Sequence, residues 1–165
     1  MKLFIAGLVA GLLSLSILAS GLDLDVARQQ VSKTYAEARA LSEFGYSDYT
    51  LYMGSLGAST EDSIYSAILN EYTGYNAPHK YLDVREVSIA DAASTIETSF
   101  ANISKKNGAR ELLNSLKADL VDLIKKNDLS IYKIEHEGGF AGCKETALVD
   151  HSAYKILIFG SCWSE

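Results

Sequence analysis

The chain has 165 residues, 48% of them apolar, with 21 acidic against 15 basic residues and a formal net charge of −6. The two signs are interspersed along the chain, which excludes the clustered Lys and Arg that phosphate contacts require and so argues against a nucleic-acid partner. There is no internal repeat, and no Pro-rich or low-complexity stretch offers a linker.

Lys2 opens an apolar run from Leu3 to Leu18, followed by the small residues Ala19-Ser20-Gly21. This pattern predicts a cleavable signal peptide over residues 1–21. An uncleaved anchor is the competing reading, because the run approaches bilayer length. Gly7, Gly11, Ser14 and Ser16 inside the run, and Asp23 and Asp25 where a basic stop-transfer flank would stand, favour processing. The expected mature chain, 22–165, is a single domain of 144 residues with a net charge of −7 once Lys2 is lost. It is expected in the periplasm or outside the cell, with no membrane association after cleavage. In such a compartment Cys143 and Cys162, the two cysteines, can form a disulfide.

Leu24, Ala27, Val31, Tyr35, Ala38 and Leu41 recur at steps of three and four, predicting an amphipathic helix from about Asp23 to Phe44, with Gly45 as its stop. Residues Tyr46 to Gly57 carry three tyrosines and several glycines and serines, and read mainly as a loop that could hold a short strand. Ser59 with Asp62 resembles a capping box and opens a helix whose face is Ile64, Tyr65, Ile68, Leu69 and Tyr72. Gly74 closes it, and Pro78 marks a turn. Lys80 to Val87 is ambiguous between a strand and the run-in to a helix. A second box, Ser88 with Asp91, precedes the stripe Ile89, Ala92, Ala93, Ile96, Phe100 and Ile103. After Asn107-Gly108, the residues Leu112, Leu113, Leu116, Leu120, Leu123 and Ile124 define the last helix, and these two helices are expected to form an antiparallel hairpin.

From Ser130 the period changes to two. Tyr132, Ile134 and His136 alternate with Lys133, Glu135 and Glu137; Thr146 to Val149 and Tyr154 to Phe159 read as two further strands. A reversal at Asp150 to Ala153 that sets 149 opposite 156 keeps partner numbers summing to 305, and this places Cys143 opposite Cys162. Closing that loop contributes about 3 kcal/mol on the chain-entropy account. The fold class is therefore α+β: about four helices, the last two a hairpin, packed on a small C-terminal antiparallel sheet.

Residues with chemical potential are few. Glu135-His136-Glu137 alternates across a strand, so His136 falls on the side of Tyr132 and Ile134 while the glutamates face away. Asp150-His151-Ser152 holds the residue types of a hydrolase triad, but adjacency in sequence identifies it as a turn, since triad members converge from separate segments. Neither histidine has metal-ligand spacing, no Cys-x-x-Cys occurs, and no cofactor or metal is expected. Asn102-Ile103-Ser104 fits a glycosylation sequon inside a helix. Ten tyrosines are many for this length, and Tyr46, Tyr49, Tyr52 and Tyr75 are the candidate binding surface. These features predict an exported, non-catalytic binding protein, such as an inhibitor or immunity-type protein of the cell envelope, whose partner is another protein; the acidic balance suits a basic one. The alternative is a secreted hydrolase with dispersed catalytic residues such as His136, His151 and Asp150.

Overall fold

The computed structural model describes residues 24–41, 48–72, 82–101, 109–138 and 141–164. The expected signal peptide 1–21, Gly45, Tyr46, the expected turn at Pro78 with Gly74 and Tyr75, Asn102 and Asn107-Gly108 lie outside them. Four helices, α1 (24–40), α2 (Glu61–Tyr72), α3 (Ala92–Ser99) and α4 (Ala109–Asn127), accompany five strands. The strands are β1 (Asp48–Ser55), β2 (Leu82–Val87), β3 (Ser130–Gly138), β4 (Ala141–Asp150) and β5 (Lys155–Ser164). They form one antiparallel sheet in the order β1-β5-β4-β3-β2, giving the α+β class that the switch of period predicts.

Alternation along the strands sends apolar side chains to both faces of the sheet, so both faces must be covered. On one face α1, α3 and α4 bury Leu24, Val31, Ile96, Phe100, Leu116, Leu120 and Ile124 against Ile131, Leu148, Leu157 and Phe159. On the other, Ile64 and Ile68 of α2 sit over Tyr132, Ile134, Ala147, Val149, Ile156 and Ile158. The described residues thus form three layers, with three helices above the sheet and one below.

The stripe of α1 is buried as its spacing predicts, at Leu24, Ala27, Val31, Tyr35 and Ala38, while Leu41 is exposed. Lys155 of β5 reaches Asp25 of α1 at 3.2 Å and ties the helix to the sheet. One segment differs from the sequence reading and one ambiguous segment is settled as a strand. The tyrosine-rich stretch, expected mainly as a loop, is strand β1, paired with β5 from Asp48↔Cys162 to Ser55↔Lys155. Residues 82–87, left open between strand and helix, form strand β2 on the opposite edge. Both gain their hydrogen bonds from partners distant in sequence, which local pattern does not register.

The capping reading for α2 shifts by one residue. Thr60 is the cap: its Oγ1 accepts the N–H of Ser63 at 3.3 Å and its carbonyl accepts the N–H of Ile64. In the second box the Ser88 hydroxyl donates to the Asp91 carboxylate at 2.6 Å and opens a 3-10 turn, Ile89–Asp91, that leads into α3. Ile89 is consequently exposed, outside the buried stripe formed by Ala92, Ile96 and Phe100. Helices α3 and α4 pack against each other in the upper layer, as the hairpin reading expects.

Candidate functional site

Among the described residues α2 is the one helix on its face, and polar side chains gather at both of its ends. The frame that holds them is the β4–β5 hairpin. Asp150 Oδ1 accepts from the Ser152 N–H at 2.9 Å, the Ser152 hydroxyl at 2.7 Å and the Ala153 N–H at 2.9 Å, the bonding by which an aspartate closes a turn on itself. Tyr154 follows at φ 53°, in the left-handed region. This turn sets Val149 opposite Ile156 and carries the register to Cys143 opposite Cys162, where the two sulfurs are bonded. The pairing deduced from the sequence is the one formed.

Two residues further along the same face, Glu145 pairs with Gly160 of β5, which pairs in turn with Thr50 of β1. Glu145 is 2% exposed, and its Oε2 has no hydrogen-bond partner. Burying a carboxylate oxygen without a partner is costly, and burial drives the pKa of Glu145 from the ordinary 4.5 up to about 7. The nearby Thr50 hydroxyl favours the charged form. Glu71, in the last turn of α2, repels the charge and raises the pKa further, while partial burial raises the pKa of Glu71 itself. Gly160 is what admits the glutamate: a Cβ there would collide with the Lys144 carbonyl and with Glu145 Cα and Cγ.

From the upper face Tyr35 of α1 donates its hydroxyl to the Gly160 carbonyl at 2.9 Å. Burial, then the Glu145 charge, hold the Tyr35 phenol well above its usual range, so it stays protonated as a donor. The row Thr50–Gly160–Glu145 is therefore held from the upper face by Tyr35.

At the opposite end of α2, His151 of the hairpin turn meets Ser59 Oγ through Nδ1 at 2.6 Å and Ser130 Oγ through Nε2 at 2.9 Å. Ser59, expected to cap α2, belongs to this contact instead. His136 lies on the face of Tyr132 and Ile134, as alternation predicts, and pairs with Cys143. It stands near the far end of β3 from His151, which is bonded at Ser130, the first residue of that strand. His136, His151 and Asp150 consequently do not converge: Asp150 is absorbed by its own turn.

The tyrosines are placed as follows. Tyr49 points into the upper core, stacked on Tyr35 with ring centroids 4.7 Å apart and with the Arg39 guanidinium 4.7 Å from its ring. Tyr52 points to the lower core and lies over Gly54. The two alternate to opposite faces of β1 and present no common surface. Tyr46 and Tyr75 lie outside the described residues.

Among the described residues no group of three or more His, Cys, Asp or Glu is placed to hold a metal, and no helix is long and apolar enough to cross a membrane. Comparison of the chain with family models, with curated proteins and with solved structures found no match. What can be assigned is a class: a disulfide-pinned α+β domain with a buried carboxyl whose Oε2 has no hydrogen-bond partner among the described residues.

Sequence reasoning missed Glu145, although a signal was available. The 305 register places it opposite Gly160, and a glycine facing a long charged side chain inside an apolar ribbon marks a carboxyl for which space has been made.

Proposed function

We propose that this chain is an exported binding protein that receives a cationic group, a lysine or arginine side chain of a partner protein, at the carboxyl end of α2. Three sources of negative potential meet there. Glu145 is the inner carboxyl and Glu71 the outer one, and the last turn of the helix, where free carbonyls favour cations, contains no basic residue of its own. The observation that carries the reading is the buried, unpartnered Glu145 Oε2. A buried polar atom left without a partner in its own chain is the usual mark of a site whose partner comes from outside the chain. Export is supported by the Leu3–Leu18 run with its Ala-Ser-Gly end, and by the disulfide.

The test is a heteronuclear NMR titration of the mature protein, residues 22–165, with an oligolysine peptide and with oligoglutamate as control. Oligolysine should move the amide resonances around Glu71, Thr50, Glu145 and Gly160, and oligoglutamate should not. Glu71→Gln and Glu145→Gln should each weaken the apparent affinity at least fivefold. Oligolysine shifts confined to other acidic surfaces, or unaltered binding by both variants, would remove the assignment.

A further inference from the structure

The contact at the other end of α2 is unused by the binding reading. Ser59 stands in the β1–α2 connection, Ser130 is the first residue of β3 and His151 lies in the β4–β5 turn, so three separate segments deliver one side chain each to the same point. Ser59 is exposed, and its hydroxyl lies 2.6 Å from an imidazole whose second nitrogen is held by another hydroxyl at 2.9 Å. A nucleophile within hydrogen-bond reach of a base, with the base oriented by a third group, is the arrangement by which a serine is activated. Convergence from separate segments is what the adjacent Asp150-His151-Ser152 run could not supply.

We infer that Ser59 is a nucleophile for acyl transfer from carboxylic esters, with His151 as its general base and Ser130 as the residue that positions His151. If His151 Nε2–H donates to Ser130 Oγ, Nδ1 carries the lone pair and accepts the Ser59 proton. As the Ser59 oxygen bonds to the ester carbonyl carbon, that proton passes to Nδ1. Collapse of the tetrahedral adduct breaks the bond to the alcohol oxygen, and the alcohol leaves with the proton from Nδ1. Water then attacks the acyl-Ser59 ester with the same imidazole taking its proton, releasing the carboxylic acid and restoring the hydroxyl. Because the serine is exposed at a connection, accessible aryl and short-chain acyl esters are the substrate class. Nothing in this step involves Glu145 or Glu71, so it stands or falls apart from cation binding.

The experiment incubates the mature protein with a fluorophosphonate. Ser59 oxygen would bond to phosphorus, fluoride would leave, and the proton would go through His151 to water. Intact mass should show one adduct, and peptide sequencing should place it on Ser59. Ser59→Ala should abolish labelling. His151→Gln, which keeps a polar side chain in the turn, should slow it at least a hundredfold with an unchanged circular dichroism spectrum. Ser130→Ala should slow it about tenfold, and Ser130→Thr, which restores the hydroxyl, should recover most of the rate. Hydrolysis of p-nitrophenyl acetate should fall in the same order. An adduct on another residue, no adduct, or labelling of His151→Gln at the wild-type rate would overturn the assignment and leave the contact as a turn staple.

Discussion

Glu145 makes stability depend on pH in a direction opposite to that of most acidic residues. Its folded pKa, about 7, is above its ordinary 4.5, so between those values the folded state holds more protons than the unfolded chain. Its contribution is fully present below about pH 4.5 and is lost as pH rises toward 7, a change of about 3 kcal/mol. Other carboxylates act conversely. Glu135, hydrogen-bonded to Lys133, and Glu97, bonded to Lys117, are held below the usual value. The informative quantity is therefore the difference between wild type and Glu145→Gln, followed by urea denaturation. The variant should gain about 2–3 kcal/mol over wild type at pH 8 and little or nothing at pH 4.5. A difference independent of pH would contradict the buried carboxylate.

At the scale of elements, the start of α2 separates two readings of one sequence. The spacing Ser59-x-x-Asp62 suggests a cap one residue before the cap that forms, at Thr60. Thr60→Ala should cost about 1 kcal/mol, measured by thermal denaturation, whereas Ser59→Ala should leave the helix intact and release only the His151 contact. The helices were legible in the sequence because a 3.6-residue period is a local property: five of the six stripe positions of α1 are buried where spacing put them. The hairpin was legible because a turn and a two-residue period fix the register without outside help. Strand β1 was not. In Tyr49-Thr50-Leu51-Tyr52-Met53, apolar residues fall on both faces, and its hydrogen-bond partner is β5. Only part of the candidate site could be read for the same reason. Cys143–Cys162 follows from the hairpin alone, whereas the burial of Glu145 depends on β1 covering the far side of β5.

For the molecule as a whole, unequal covering of the sheet predicts unequal stability. Three helices share the upper face, where the Phe100 ring contacts both Tyr35 and Phe159. Below, α2 presents two fully buried isoleucines, Ile64 and Ile68. Apolar burial of that size contributes only a few kcal/mol. Native-state hydrogen exchange should therefore show the α2 amides opening at lower denaturant than those of α4, in a unit separate from global unfolding. Both candidate sites would loosen in that opening, since α2 carries Glu71 at one end and follows directly from Ser59 at the other.

Strand order imposes a timetable. Met53 waits for Leu157 and Ser55 for Lys155, so an edge strand near the front of the domain can be seated only when the final hairpin has been made. Until then the aromatic ribbon Tyr49–Met53 has no neighbour to satisfy its backbone. A nascent chain halted before Lys155 should accordingly be a client for holding chaperones rather than a smaller folded domain.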